Sequence, residues 1–241
     1  MPKKFLFFII LIIVSLVGSN FSLAKEVAGS HNCRFWAGLS DKTIPGQVVE
    51  NDLANQPNSL KNLSAANPDG WGIVSYGGQG AEPIIDRGNL PAKNDQSYDA
   101  AVNRLAEAKS KIIIAHVRSA GSGCLGNEVR DPHPFSKKFN NRSWTFAHNG
   151  TIDKKSLIKL IGEKYLQDNP PNCSGLTECL PCRKDQWVDS ELYFLYLMQN
   201  IENNKWQADE ALVKALKILE LEKPDDKKKF YLKRRLYSLG L

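Results

Sequence analysis

Beyond residue 17 the sequence lacks a second long apolar run, an internal repeat and any low-complexity segment. A membrane-spanning helix needs about 20 predominantly apolar residues, so nothing after the start of the chain predicts one. The missing repeat excludes solenoid and propeller architectures. The 241 residues are instead enough for one hydrophobic core of ordinary size.

A strong excess of charge is also missing. The formal net charge is +6, and much of it comes from six basic residues near the C-terminus, Lys227, Lys228, Lys229, Lys233, Arg234 and Arg235. No nucleic-acid-reading motif accompanies them. We therefore interpret this segment as a solvated basic face and expect no nucleic-acid partner.

The chain begins with a leader. Lys3 and Lys4 precede an apolar run at 5–17, and a polar stretch then ends in Ser22-Leu23-Ala24. A short positive region, an apolar core of about 7–15 residues and small residues before the cleavage point are typical of a secretory signal peptide. The sequence predicts a signal peptide at 1–24 and an exported protein, periplasmic or extracellular, without stable membrane association after cleavage. An uncleaved anchor is the alternative.

Export affects how the five cysteines are interpreted, because thiols outside the cytosol tend to pair. An odd number of cysteines leaves one thiol unpaired. The simplest arrangement leaves Cys33 free and forms two disulfides, of unknown connectivity, among Cys124, Cys173, Cys179 and Cys182. The Cys-x-x-Cys spacing at 179–182 also suits zinc, but no fourth ligand is near in sequence. We therefore predict no metal and no cofactor.

Hydrophobic patterning predicts strands early in the chain and helices later. Short apolar or β-branched runs predict strands at 35–39, 71–76 and 111–117, and the segment at 143–150 predicts a strand that runs into an Asn-Gly turn. Three- and four-residue spacing predicts helices at 97–110, 154–166, 189–201 and 208–221, the third with Asp189 as its N-cap. This order favours an α+β layered domain over a doubly wound sheet.

Four short stretches hold the residue types that acyl transfer requires. Cys33 offers a thiol, and Asn149 and Gly150 offer an amide and a backbone N–H that can stabilise an oxyanion. Arg118 can bind a carboxylate through two hydrogen bonds, and Asp189 can hold an ammonium group. A histidine base beside the cysteine is missing. An N-terminal nucleophile supplies its own base, an α-amino group with a pKa of about 7.7–8.0.

In this order the stretches resemble the class II glutamine amidotransferases of the N-terminal-nucleophile hydrolase superfamily, especially its small stand-alone members. The similar segments are CRFWAG (33–38), NPDGWGI (67–73), AHVRSAG (115–121), HPF (133–135), WTFAHNGTI (144–152) and VDSE (188–191). The resemblance implies a four-layer αββα sandwich at 33–241 and a small-molecule substrate, glutamine or a γ-glutamyl compound. It implies hydrolysis through a Cys33 thioester.

The resemblance also implies roles for individual residues. Cys33 would be the nucleophile with its own α-amino group as base, Arg118 would bind the α-carboxylate of the substrate, and Asp189 its α-ammonium. Asn149 and Gly150 would form the oxyanion hole. Three histidines and two tryptophans also belong to these segments, and we interpret the histidines as structural and the tryptophans as core: His116, His133, His148, Trp71 and Trp144.

Cys33 has two other possible roles, a lipid attachment site and half of a disulfide. The polar residues Ser30-His31-Asn32 before it disfavour lipidation. Action as an N-terminal nucleophile requires removal of residues 25–32, which we interpret as a propeptide cleaved autocatalytically or by a protease.

Two rival functions stay open on the same fold. One is a catalytically silent secreted binding module, and the other is an N-terminal-nucleophile amidase of different acyl specificity, which would not need Arg118 and Asp189. Familiar members of the class II glutamine amidotransferase family work in the cytosol, and their chains form further strands after the helices. The short segment at 223–241 predicts either that the second sheet here is short or that the product is truncated and poorly active.

Overall fold

The computed structural model describes residues 33–77, 82–119, 132–150, 152–171 and 187–221. Within these ranges the chain forms two antiparallel sheets and seven α-helices, which confirms the predicted α+β class. The predicted signal peptide, the predicted propeptide and the four cysteines expected to form disulfides lie outside the described residues.

The first sheet has four antiparallel strands in the order β1-β4-β2-β3. The strands are β1 (Arg34–Leu39), β2 (Trp71–Tyr76), β3 (Ile84–Gly88) and β4 (Ile112–Val117). In β4, Ile113 and Ala115 are buried towards one face, and Ile114 packs towards the other. Burial on both faces explains why the sequence of this strand is a continuous apolar run instead of an alternating one.

Three helices pack on one face of the first sheet. They are α1 (Gly46–Glu50), which continues into a π-helical turn at Asn51–Asn55, α2 (Leu60–Leu63) and α3 (Gln96–Glu107). Asp95 caps α3 by accepting a hydrogen bond from Ser97 N at 2.9 Å. Trp71 is buried in this core, as predicted, and its indole N–H donates to Asp95 at 2.8 Å.

The second sheet is a hairpin of β5 (Phe135–Phe139) and β6 (Arg142–Phe146). Asn140 and Asn141 have φ values of 48° and 54°, the left-handed pair that a two-residue hairpin turn requires. Four helices pack against it: α4 (Lys154–Ile161), α5 (Glu163–Asp168), α6 (Asp189–Asn203) and α7 (Ala208–Leu221).

The two sheets contact each other through their remaining faces. Val74, Ile114 and Ala147 form an apolar cluster between them, and the Tyr76 hydroxyl donates to Thr145 Oγ1 at 3.0 Å. Each sheet therefore has helices on one side and the other sheet on the opposite side. The second sheet contains two strands in the described ranges, so the complete four-layer αββα sandwich stays a prediction.

Several predicted boundaries differ from the structure. The helix expected at 154–166 is two helices, because Gly162, at φ +81°, breaks it. The strand expected at the start of 143–150 ends at Phe146, three residues before the predicted Asn-Gly turn begins at Asn149. The prediction of Asp189 as an N-cap is wrong, since Val188 is the cap and Asp189 is the first helical residue. Both β3 and β5 are absent from the sequence-based prediction. No helix in the described ranges is long and apolar enough to cross a bilayer.

Candidate active site

Cys33 lies immediately before β1 and is half-buried. Since β1 and β4 are antiparallel and Arg34 pairs with Val117, the start of β1 lies beside the residues that follow β4. Ser119 N donates to the Cys33 sulfur at 3.4 Å, and the thiol donates back to Ser119 O at 3.6 Å. Strand pairing therefore holds the thiol against a backbone amide that can also stabilise a thiolate.

Arg118 is buried at the end of β4 and is held there by a tight turn. Its backbone N–H donates to Gly70 O at 2.8 Å, and Asp69 N donates to Arg118 O at 3.1 Å. Gly70 has φ +107°, a conformation that favours glycine, and a Cβ there would lie 2.7 Å from Gly88 O. The Asn-Pro-Asp-Gly turn of the sequence thus fixes the backbone of the predicted carboxylate-binding arginine.

The charges of Arg118 and Asp189 both act on the Cys33 thiol. Burial raises the pKa of Cys33, and the Asp189 carboxylate raises it further. Hydrogen bonding from Ser119 and the positive charge of Arg118 lower the pKa of Cys33, but the net direction is upward. Joined to Asn32, the cysteine is therefore a protonated thiol at neutral pH, and it needs a base to react.

Asn149 reaches the nucleophile from the second sheet. Its side-chain N–H donates to Cys33 O at 2.9 Å, and the same amide carries a second N–H. Gly150 follows with φ +155°, and a Cβ there would lie 2.9 Å from His148 Nε2. Close packing on the imidazole therefore favours glycine at this position. The Asn149 hydrogen bond places the start of the turn beside Cys33.

Asp189 begins α6 with both carboxylate oxygens engaged. Ile152 N donates to Oδ2 at 2.8 Å, and Ser190 N donates to Oδ1 at 2.8 Å. An acidic side chain is favoured at this end of a helix because unpaired backbone N–H groups give it a positive potential. The five residues predicted for the site therefore come together, three of them from the second half of the chain.

Three buried histidines lie behind the site. Burial lowers the pKa of His116 to about 3 and the pKa of His133 well below its usual range. The two rings are joined by a hydrogen bond of 3.0 Å between His133 Nδ1 and His116 Nε2. Burial also lowers the pKa of His148, against the opposing charge of Asp189. All three are neutral at physiological pH, which agrees with the structural interpretation.

Two polar groups of the site were not predicted from the sequence, the backbone N–H of Ser119 and the side chain of Ser190. The Ser119 N–H that contacts the thiol is a backbone group, and no residue pattern identifies it. Ser190 lies inside the VDSE segment, but its hydrogen bond to His148 connects residues that are 42 positions apart. Among the described side chains, no three His, Cys, Asp or Glu residues are arranged to hold a metal ion.

Comparison with known families identifies the class of this protein. The model of the class II glutamine amidotransferases matches residues 55–226, which is more than half of the chain. The chain therefore belongs to the class II glutamine amidotransferase family, as the sequence motifs predicted.

Individual relatives agree with this membership. The chain is 33% identical over 160 residues to an uncharacterized protein of Methanocaldococcus jannaschii, covering 64% of this chain and 38% of that protein. It is 32% identical over 141 residues to a Haemophilus influenzae protein named "Putative glutamine amidotransferase", covering 58% and 40%. It is 35% identical over 91 residues to the gamma-glutamyl-hercynylcysteine sulfoxide hydrolase of Mycobacterium tuberculosis, covering 38% and 35%.

The matched part of the chain thus spans no more than 40% of the length of any of these three relatives. No solved structure matches the chain.

Proposed function

We propose that this protein is an exported amidohydrolase that cleaves glutamine or a γ-glutamyl amide through a thioester on Cys33. The observation that carries the proposal is the convergence on one residue, Cys33, of four groups. The Asn149 amide donates to its carbonyl oxygen, the Ser119 N–H donates to its sulfur, and the charges of Arg118 and Asp189 act on its thiol. Family membership supports amide chemistry, and one relative is named as a hydrolase of a γ-glutamyl compound.

The reaction begins when Cys33 Sγ attacks the γ-carbonyl carbon and its proton passes to the α-amino group of the same residue. The carbonyl oxygen becomes an oxyanion, which the second Asn149 N–H and the Gly150 N–H stabilise. The C–N bond then breaks, and the leaving amine takes the proton from the α-amino group. A water molecule attacks the thioester, the C–S bond breaks, and glutamate and the free thiol are released.

Two opposite charges near the thiol suit the head group of an α-amino acid. Arg118 is buried and its backbone is fixed by two hydrogen bonds, and an arginine side chain can bind an α-carboxylate through two parallel hydrogen bonds. Asp189 is fixed by two backbone N–H groups and would receive the α-ammonium. An amidase for uncharged acyl groups would have no use for both, and this favours the γ-glutamyl head over the alternative acyl specificity.

The base in this mechanism exists only after processing. The proposal therefore includes export by the signal peptide at 1–24 and removal of the propeptide at 25–32, so that Cys33 becomes the first residue. It also includes the four-layer αββα sandwich at 33–241. The silent binding module is the second candidate. In a chain that is not processed, the nitrogen of Cys33 is part of the peptide bond to Asn32 and cannot act as a base, and the raised pKa of Cys33 keeps the thiol protonated and unreactive.

The test is to express the full chain with its leader and to determine its intact mass and N-terminal sequence. A chain that begins at Cys33 and hydrolyses γ-glutamyl-p-nitroanilide supports the proposal. A Cys33→Ser variant is expressed and analysed in the same way. If its propeptide is retained, the Cys33 thiol cleaves the propeptide itself. A secreted chain that begins before Cys33 and hydrolyses neither glutamine nor the anilide would favour the binding module.

Faster hydrolysis of glutaryl-p-nitroanilide than of the γ-glutamyl compound would instead favour the different acyl specificity. The glutaryl compound retains the terminal carboxylate that Arg118 would bind but lacks the α-ammonium, so it cannot use Asp189.

A further inference from the structure

The imidazole of His148 supports the turn that carries the predicted oxyanion hole. Gly150 lies so close to it that a Cβ would be 2.9 Å from His148 Nε2 and 3.2 Å from Cε1. The ring is buried and is enclosed by two aromatic side chains. Its centroid is 5.4 Å from that of Tyr193, edge to face, and 6.3 Å from that of Phe146, nearly parallel. A ring held this way cannot move without displacing the Asn149–Gly150 turn.

The other side of the same ring is connected to α6. His148 Nδ1 lies 3.0 Å from Ser190 Oγ. Ser190 in turn contacts Asp189 twice, since its backbone N–H and its hydroxyl both reach Asp189 Oδ1, at 2.8 and 3.3 Å. A continuous set of contacts therefore runs from Gly150 through His148 and Ser190 to the Asp189 carboxylate.

The number of protons defines the direction of these hydrogen bonds. A serine hydroxyl has one proton, and we assign it to the Asp189 carboxylate, because an ionised carboxylate can only accept whereas a neutral imidazole can donate from Nδ1. Ser190 Oγ must then accept from His148, which places the imidazole proton on Nδ1. The neutral ring consequently turns its unprotonated Nε2 towards Gly150. Protonation of the ring at Nε2 would put a proton against this turn.

We infer that His148 and Ser190 are positioning residues that hold the Asn149–Gly150 turn and the Asp189 carboxylate in one unit, the turn by packing on the His148 ring and the carboxylate by hydrogen bonds through Ser190. This inference rests on the proposed function, because it assigns the two ends of that unit to the oxyanion and to the substrate ammonium. Neither His148 nor Ser190 contacts the reacting atoms. Their effect is to fix the distance between two substrate-binding groups that come from different elements, the segment after β6 and the start of α6.

Loss of the Ser190 hydroxyl should affect both ends. In Ser190→Ala we expect kcat for γ-glutamyl-p-nitroanilide to fall by about tenfold, the size of one lost hydrogen bond of about 1–1.5 kcal/mol. KM should rise for this substrate because Asp189 loses its orientation. For glutaryl-p-nitroanilide, which has no ammonium, kcat should fall similarly and KM should stay unchanged. Ser190→Thr retains the hydroxyl and should recover most of the loss.

A matched control is available on the other side of the molecule. Ser97 also lies at the start of a helix and donates its hydroxyl to the preceding aspartate side chain, at 2.6 Å to Asp95 Oδ1. Ser97→Ala removes the same kind of contact on the outer helical face of the first sheet. We expect it to leave kcat and KM within twofold of the wild-type values for both substrates.

Nitrogen-15 NMR of histidine-labelled enzyme gives a reading that does not depend on activity. The wild type should show His148 as the Nδ1–H tautomer. Ser190→Ala should change the His148 signals and leave those of His116 and His133 in place, which shows that the fold persists. His148→Asn is a second variant, and it should give the same paired loss of kcat and affinity.

The outcomes distinguish a failure of the positioning role from a failure of the proposed function. An active wild type whose Ser190→Ala variant keeps kcat and KM within twofold overturns the positioning role and leaves the proposed function standing. An Nε2–H tautomer of His148 in the wild type also overturns it. A correctly processed wild type that hydrolyses no γ-glutamyl amide overturns the proposed function, and this inference is lost with it.

Discussion

The two halves of the candidate site are built in different ways. Cys33 and Arg118 lie at strand ends of the first sheet and are held by backbone hydrogen bonds to Ser119, Gly70 and Asp69. The other half, from Asn149 to Asp189, follows the second sheet and is connected by the side chains of His148 and Ser190. Apart from Gly70, where a Cβ does not fit, substitutions near the first half should therefore matter only at the functional groups themselves. Near the second half, supporting side chains should matter too.

The largest effect is expected at the nucleophile. Cys33→Ala removes the thiol, so hydrolysis of γ-glutamyl-p-nitroanilide should fall on the order of 10⁴-fold or more. Because Cys33 is half-buried and its contacts are with Ser119 and Asn149, the folded state should persist. Thermal unfolding by circular dichroism checks this second point. An enzyme that stays active without Cys33 would contradict the proposed mechanism.

Asn149→Ala tests the second half of the site at its functional group. Loss of one oxyanion donor should lower kcat by about 10²- to 10³-fold, with a smaller change in KM. Asn62→Ala is a matched control, since this half-buried asparagine of the first half of the chain also donates its side-chain N–H to a backbone carbonyl, Gln56 O, at 2.8 Å. Steady-state kinetics on both variants makes the comparison. Equal losses in the two variants would show a general effect on stability.

Arg118→Lys tests the first half. Lysine retains the positive charge but cannot bind a carboxylate with two parallel hydrogen bonds, so KM for the γ-glutamyl substrate should rise by about ten- to a hundredfold. The effect on kcat should be smaller. Arg104→Lys is the control, because Arg104 is exposed and pairs with Asp86 at 2.7 Å. If Arg118→Lys binds the substrate normally, the carboxylate role belongs to another group.

The smallest expected effect is on the pH dependence of stability. It concerns the buried pair of His116 and His133, which lies where the two halves meet. The pKa of His116 is about 3 in the folded state and about 6.5 unfolded. As the pH falls below about 6.5, the unfolded chain takes up a proton at His116 that the folded chain does not. The contribution of neutral His116 to the free energy of unfolding is therefore fully present above about pH 6.5 and decreases as the pH falls below that value. Each such group lowers the free energy of unfolding by about 1.4 kcal/mol per pH unit.

Urea titrations between pH 6 and pH 4.5 measure this slope. His116→Gln removes one titrating group, and the slope should become shallower by that amount. An unchanged slope in the variant would mean that His116 is already charged in the folded protein.

The sequence predicted the strongly patterned elements and failed on the weak ones. β2 and β4 are continuous apolar strands, and their buried positions make them recognisable. β3 has no buried residue except Gly88, and β5 carries Lys137 and Lys138, so neither shows a clear alternation. α6 is buried on nearly every side, because α4, α7 and the second sheet surround it. Its sequence therefore shows a less distinct stripe than an amphipathic helix would.

The candidate site was predictable where it consists of side chains in recognisable motifs. Asn149, Arg118 and Asp189 all act on Cys33, and Gly150 follows Asn149 directly in the chain. The supporting contacts were not predictable for two physical reasons. Some are backbone groups, as at Ser119, and others depend on packing between distant segments, as between His148 and Ser190.

Mass spectrometry of the acyl-enzyme tests the central claim most directly. The secreted protein would be mixed with a γ-glutamyl amide, quenched in acid within seconds and analysed for its intact mass and N-terminal peptide. The account predicts a chain that begins at Cys33 and carries one γ-glutamyl group on that residue, absent from Cys33→Ala. A chain that begins upstream of Cys33, or a γ-glutamyl group on a different residue, would contradict it.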